Sequence, residues 1–302
     1  MAAHKVKKAV TPRYHSPMLA TLVKEPFSDP EWIFERKFDG ERCVVVKKGD
    51  AVTIYSRSRK KLNDFYPELV ASFEKQRKDF VVDGEIVAKT FSDLQTRMQS
   101  RSEGKKVPVM LHLFDALTVD GEDVRMLGTL DRKKALKRCI SFGGKLRYVT
   151  HVKGKGIEAF KRAEKRKWEG VIAKRADARY VSKRSRDWLK FKCEKRAQFY
   201  IAGFTAPKGS RVGIGALILG VKKRGELVFA GKVGTGFDTK LLQSLAKKLK
   251  RIERQKSPFD SGTVRGVHFV TPRYRCEVAF TEWTNDGKLR HPRFVRLVNG
   301  KG

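Results

Sequence analysis

Phe34-Glu35-Arg36-Lys37-Phe38-Asp39-Gly40-Glu41-Arg42 decides how the N-terminal part of this chain reads. An apolar approach, Glu31-Trp32-Ile33-Phe34, leads in, and a β-like run, Cys43-Val44-Val45-Val46, leads out. Asp39 and Gly40 supply a turn between the two. Lys37 is therefore expected on a hairpin at the rim of a sheet, where a lysine can be a covalent nucleophile instead of a solvated charge.

Outward from that stretch, short strand-like segments dominate to about residue 120: Val52–Tyr55, Phe80–Val87 and Val109–Phe114, each bounded by Gly, Asp, Pro or Ser. Helical patterns follow at Leu130–Cys139 and Ile157–Trp168, then strands at Gly170–Lys174 and Trp188–Cys193. The character changes around Glu194–Ala197. Strands are expected at Phe199–Phe204, Ala216–Val221, Leu227–Ala230 and Cys276–Trp283. An amphipathic helix, Thr239–Ile252, interrupts them with Leu241, Leu242, Leu245 and Leu249 on one face. An OB-type barrel has five short strands and one helix, and these segments suit it.

The chain has 302 residues, enough for two domains, and its 68 Lys and Arg against 33 Asp and Glu give a net charge of +35. Such an excess points to a polyanionic partner, nucleic acid first. No apolar run approaches the ~20 residues that span a membrane, and the opening residues carry no secretory core, so no membrane partner is expected. Cys43, Cys139, Cys193 and Cys276 are far apart, without metal-ligand spacing, which fits small core residues in a reduced cytoplasm.

Further stretches bear on Lys37. In order they are Tyr55-Ser56-Arg57-Ser58-Arg59, Val82-Asp83-Gly84-Glu85-Ile86-Val87, Leu113-Phe114-Asp115, Trp168-Glu169-Gly170-Val171-Ile172-Ala173-Lys174 and Asp187-Trp188-Leu189-Lys190-Phe191-Lys192. With Lys37 at their head they resemble motifs I, Ia, III, IIIa, IV and V of ATP-dependent DNA ligases. Pro17–Leu22, Phe91–Gln95, Gly231–Phe237 and Thr281–Thr284 look like the ligase module of bacterial end-joining enzymes. The resemblance spans nearly the whole chain. It implies an α+β architecture: a nucleotidyltransferase (adenylation) domain of antiparallel sheets with helices over 1–194, led by a short basic arm, then an all-β OB-fold domain over 195–302.

The resemblance also assigns roles. Lys37 attacks the α-phosphorus of ATP to form lysyl-AMP. An amine attacks only when neutral, and an ordinary lysine, with pKa near ~10.4, is almost wholly protonated at neutral pH. Lys190, Lys192, Arg42 and a bound divalent cation are the like-charged neighbours expected to relieve that. Lys190 and Lys192 alternate on one strand and contact the phosphates, while Leu189 and Phe191 face the core. Glu35 reads the adenine amino group. Glu85, at a strand end, bonds the ribose hydroxyls or assists the metal, unless it only caps a turn. Glu169 holds Mg2+ or Mn2+. Phe114 stacks on adenine, with a core role as the rival, and Val171 forms the other face of the base pocket. Arg57 contacts the ribose or the 5′-phosphate of the nick. Lys174 pairs with a surface carboxylate or joins the site, and Asp39 either orients DNA or metal or shapes the turn.

Leu289–Leu297 resembles motif VI, with Arg290 and Arg293 as the triphosphate clamp. The ending Leu297-Val298-Asn299-Gly300-Lys301-Gly302 departs from the family's Arg-x-Asp-Lys tail and leaves Arg296 and Lys301 without an assigned role. Lys161–Lys167 and Lys183–Arg186 are expected to touch DNA phosphates without reading sequence. The helical clamp of larger ligases, and the polymerase and nuclease domains of the bacterial subgroup, are expected to be absent. The expected protein is a monomeric, bacterial, nucleoid-associated ligase core. It clasps nicked double-stranded DNA by charge and is recruited by an end-binding ring protein of the Ku type. The alternatives are a capping-type guanylyltransferase using GTP and a non-catalytic nucleic-acid-binding protein.

Overall fold

The computed structural model describes residues 10–99, 107–207, 209–259, 266–284 and 286–298. Two compact units meet in sequence between Cys193 and Glu194. The first contains β1 (Leu19–Leu22), β2 (Trp32–Lys37), β3 (Glu41–Lys48), β4 (Ala51–Ser56), α1 (Pro67–Glu74), β5 (Phe80–Val87), α2 (Phe91–Gln99), β6 (Met110–Val119) and β7 (Glu122–Asp123). It continues through α3 (Thr129–Cys139), β8 (Leu146–Tyr148), β9 (His151–Lys153), α4 (Gly156–Lys165), β10 (Gly170–Arg175) and β11 (Arg184–Lys192).

These strands form two sheets. One runs β1-β11-β10-β2-β9 and the other β4-β3-β5-β6-β7, with β8 beside β6. All pairs are antiparallel except β1 with β11 and β6 with β8. Lys37 is therefore not on a hairpin: β2 and β3 lie in different sheets, and Phe38-Asp39-Gly40 carries the chain across. Gly40 fits that crossing because a Cβ there would lie 2.1 Å from the Ile86 carbonyl oxygen. Glu85, expected at a strand end, lies inside β5, opposite Arg42 on one side and His112 on the other, so it caps no turn.

The period-2 alternation of β3 divides the core. Cys43 and Val45 pack with Leu69, Phe73 and Leu136 under α1 and α3, while Val44 faces the other sheet with Phe114, Tyr180 and Trp188. On the far side of the β2 sheet, Phe34, Val171, Leu189 and Phe191 pack beneath Ala159 and Ala163 of α4. Helices thus cover both outer faces, and the sheets face each other across the interior.

Two short helices, α1 and α2, stand where the sequence pattern suggests only strands. Each carries a local start signal. Pro67 occupies the first turn of α1. Ahead of α2, the Thr90 hydroxyl accepts from the Asp93 N–H and the Asp93 carboxylate from the Thr90 N–H, each at 3.0 Å, a reciprocal capping box.

The second unit is β12 (Lys195–Phe204), β13 (Leu217–Lys223), β14 (Glu226–Val233), α5 (Thr239–Lys250), β15 (Glu253–Arg254), β16 (His268–Val270), β17 (Arg275–Phe280), β18 (Glu282–Trp283), β19 (Leu289–Arg290) and β20 (Arg293–Val298). β12 pairs with β13 and β17, β13 with β14, and β17 with β20. A 3.0 Å bond from the Phe294 N–H to the Thr235 carbonyl joins β20 to the end of β14 and closes the ring. With α5 between the third and fourth principal strands, this is the OB-fold order. The Asp238 side chain caps α5 by accepting from the Leu241 N–H at 2.7 Å, and Leu242, Leu245 and Leu249 are buried in the barrel core.

Asp115 on β6 and Arg132 on α3, both fully buried, form a two-pronged pair at 2.7 and 2.9 Å. Asp115→Leu leaves an uncompensated buried guanidinium and is expected to destabilise the first unit by about 3–5 kcal/mol. Adding Arg132→Met should recover much of that loss. Urea titrations of the two variants check the pair, and equal stabilities for both would contradict it.

Candidate active site

Three strands set the site. Lys37 on β2 stands opposite Gly170 on β10, which stands opposite Lys192 on β11. The next row on the same face is Glu35, Ile172 and Lys190. A Cβ on Gly170 would fall 1.9 Å from the Phe191 carbonyl oxygen, so this crossing point admits only glycine. Glu169, just ahead of β10, is anchored by a 3.0 Å bond from the Cys193 N–H to its carbonyl. Its carboxylate accepts from Lys37 Nζ through Oε2 and has Lys192 Nζ 3.6 Å from Oε1. Lys37 thus meets a carboxylate as well as the cations expected around it.

A cavity of about 190 Å³ lies between the sheets, lined by Lys37, Arg42, Arg57, Glu85, Phe114 and Lys190, among others. Its floor is charged and buried. Glu35 is 3% exposed and bound by Lys133 and, at 2.8 Å, by Lys174. Burial pushes the Glu35 carboxyl up, but the two lysines outweigh it and hold the group below its ordinary range. Lys174 is therefore no surface partner: its ammonium is buried, 4.1 Å from the centre of the Trp188 ring and 4.5 Å from that of Phe114.

Arg42 is committed to a partner as well. Its Nε and Nη2 donate to Asp83 at 2.5 and 2.7 Å, and the Tyr180 hydroxyl donates to the same carboxylate at 2.6 Å. The guanidinium lies 4.6 Å from the Phe114 ring centre. Phe114 thereby belongs both to the inter-sheet core and to the cavity wall. Beside it, burial raises the Glu85 carboxyl to about 7, with Arg42 and Lys37 opposing and Asp83 and Glu169 adding to the rise. Lys190 is lowered by burial first and then by Lys37 and Lys192.

Val171 faces the other way. It is 1% exposed, packed beneath α4, while Ile172 takes the place on the cavity wall. Successive strand residues point to opposite faces, so a one-residue difference removes Val171 from the cavity altogether. Trp188 also lines it, and its indole N–H is buried without a partner among the described residues. Lys133, Tyr180 and Arg184 complete the surroundings; no motif marked Lys133 or Tyr180, and Arg184 stood out only as part of the basic run Lys183–Arg186. In the second unit, Arg290 stands opposite Glu282, Arg293 donates to Glu194 at 2.5 Å, and Arg296 donates to Glu277 at 2.7 Å. Lys301 lies outside the described residues.

A lysine-bearing strand, a buried charged floor and facing carboxylates on two apposed sheets suit a nucleotidyl-transfer fold. Residues 17–192 match the family of the ATP dependent DNA ligase domain, and residues 210–301 that of the ATP dependent DNA ligase C terminal region. The chain belongs to the ATP-dependent DNA ligases. It is 34% identical over 300 residues to the multifunctional non-homologous end joining protein LigD of Mycolicibacterium smegmatis, covering 96% of this chain and 39% of that protein. The LigD repair protein of Mycobacterium tuberculosis is 36% identical over 285 residues, covering 91% of this chain and 37% of that one. The crystal structure of the M. tuberculosis LigD ligase domain aligns at a TM-score of 0.57 with 33% identity, over 94% of this chain and 95% of that domain. A mycobacterial DNA ligase D complexed with ATP and MES aligns at the same TM-score and identity, over 95% and 96% of the two chains.

The raised Glu85 carboxyl has a measurable sign. In the unfolded chain it ionises near 4.5 and in the fold near about 7, so its contribution is present below the first value and lost as pH rises through the second. Glu85→Gln should leave the urea midpoint unchanged at pH ~4 and raise it at pH ~8. An equal effect at both pH values would contradict the assignment.

Proposed function

We propose that this chain is the catalytic core of a DNA ligase that seals 5′-phosphate/3′-hydroxyl nicks through a lysyl-AMP intermediate. The observation that carries the proposal is the row of Lys37, Gly170 and Lys192 beside Glu169, opening on a cavity whose floor is the buried Glu35. Lys37 Nζ attacks the α-phosphorus of ATP; a P–N bond forms, the bond to pyrophosphate breaks, and the amine loses its proton. The 5′-phosphate oxygen of the nick then attacks the same phosphorus, returning Lys37 to an amine. Finally the 3′-hydroxyl attacks the DNA phosphorus, and AMP leaves.

The cavity supports distinct roles. Lys190 and Lys192 steady the phosphates. Phe114 and Ile172 bound the base, and Glu35, fixed by its two lysines, turns an oxygen edge toward the adenine amino group. Arg42 positions Phe114 and Glu85 from its pairing with Asp83, and Arg57 stands at the mouth for ribose or the 5′-phosphate. Glu85 and Glu169 are the two carboxylates available to Mg2+ or Mn2+, a number that suits a hard cation keeping water and phosphate oxygens for its other positions. Bound there, the cation supplies charge neutralisation for the triphosphate. Arg290 and Arg293 clamp the pyrophosphate during self-adenylation.

The family kinship to end-joining proteins supports break repair as the duty, with nicked duplex as substrate and a Ku-type protein as recruiter. A monomer associated with the bacterial nucleoid fits the same account. The chain covers about two fifths of those relatives' length, and the proposal concerns this core. No helix among the described residues is long and apolar enough to cross a membrane.

Incubation with α-labelled ATP or GTP tests the reaction. Label should be retained from ATP alone, pass to nicked duplex, and vanish in Lys37→Ala, which still binds nicked DNA. Labelling by GTP, or label surviving that substitution, would sink the proposal. With +35 net charge, nick affinity should fall by at least about a hundredfold between ~50 and ~200 mM salt. A flat salt response would contradict the electrostatic clasp.

A further inference from the structure

On the other side of β2 lies a second cavity of about 340 Å³, which the ligase reaction leaves without a task. Arg36 points into it because it alternates with Glu35 and Lys37. One turn apart, Arg162 on α4 and Arg166 just past its end reach it together, and Arg147 enters from β8. No ion pair with a carboxylate is found for these four guanidinia among the described residues. The one carboxylate on the cavity wall, Glu35, is already held by Lys133 and Lys174. Partial burial, and after it the charge of Arg166, lowers Arg36 from its usual range.

Aromatic faces interleave with the charges. The Arg36 guanidinium lies 4.7 Å from the centre of Phe38 and 4.9 Å from that of Trp168, with Arg166 5.6 Å from the same indole. A guanidinium stacked on a ring keeps its in-plane N–H groups for a phosphate. Phe38 stacks in turn on His112 at 4.0 Å, and burial, with Arg36 and Arg147, lowers that imidazole to about 4, so it is neutral. His151 Nδ1, on the same wall, is shielded from solvent and has no hydrogen-bond partner among the described residues. The cavity does not end there. Arg36, Phe38 and His112 also line an adjoining space that leads to Lys89 and Met110.

Clustered uncompensated arginines among flat aromatic faces, along an open channel, are what a flexible single strand requires: phosphates for the guanidinia and bases for the rings. We propose that this channel binds an unpaired stretch of DNA strand, such as the tail of a broken end, beside the cavity that takes the adenylate, with which it shares Glu35, Arg36 and Phe38. The proposal rests on DNA being the substrate. The channel continuing past Phe38 favours a strand over a free nucleotide.

Fluorescence anisotropy with short oligo-dT, an untailed nicked duplex, and the same duplex carrying a single-stranded tail tests it. Trp168→Ala removes a stacking face without changing charge. It should weaken binding of oligo-dT by about tenfold and abolish the tailed duplex's advantage, without altering the salt slope. The doubly substituted Arg162→Glu/Arg166→Glu, changed at exposed positions of α4 and its end, should weaken oligo-dT and the tailed duplex more than the untailed duplex, with a shallower salt slope for oligo-dT. Equal loss for tailed and untailed duplex in both variants, or no loss in either, would overturn the proposal. So would competition by dTMP as effective as by oligo-dT at equal nucleotide concentration. Self-adenylation with ATP is followed in parallel: its absence in the parent protein would count against the ligase reaction while leaving the tail comparison readable.

Discussion

Backbone pairing between β2, β10 and β11 is the constraint on which the candidate site depends. Those hydrogen bonds put Lys37, Gly170 and Lys192 in one row and Glu35, Ile172 and Lys190 in the next. A slip of one residue would turn Lys37 toward α4 and put the Arg36 side chain in its place. The apolar alternation of the same strands guards the register, because Phe34, Val171 and Phe191 would then lose their packing under α4. One set of contacts thus serves both stability and chemistry.

Around that frame the interior holds an unusual amount of charge, arranged in closed groups. Glu35 is met by Lys133 and Lys174, Asp83 by Arg42 and Tyr180, and Asp115 by Arg132. Buried pairs contribute little net stability, since desolvation offsets most of their attraction. Their consequence here is geometric. Each joins elements distant in sequence and fixes a side chain beside the cavity: Glu35 at its floor, Arg42 against Phe114, and β6 against α3. Lys37 and Glu169 differ from these groups in being partly open to solvent, with side chains 18% and 11% exposed. In the proposed reaction they are the members that exchange partners when a phosphate chain arrives.

Much of this was legible in the chain. A β-rich run bounded by turn residues marked β5, strand-like runs marked β10 and β11, and the leucine stripe of α5 is plain in the sequence. The spacing of Lys190 and Lys192 told that they share a face. Other features depend on contacts that local sequence does not encode. A turn-like Asp39-Gly40 looks the same whether its strands pair with each other or with partners more than a hundred residues away, as β2 does with β9 and β10. Val171 and Ile172 are equally apolar, and only the register says which faces the cavity. Arg42 finds Asp83 from 41 residues away. The capping box of α2, by contrast, was written locally in Thr90 and Asp93 and could have revealed that helix.

The central claim is that strand register makes Lys37, and not either lysine across from it, the residue that bonds to the nucleotide. Incubation with ATP and Mg2+, followed by proteolysis and tandem mass spectrometry, locates the adduct directly. The account predicts AMP on the peptide containing Lys37 and nowhere else. An adduct on Lys190 or Lys192, or none on an active preparation, would contradict it.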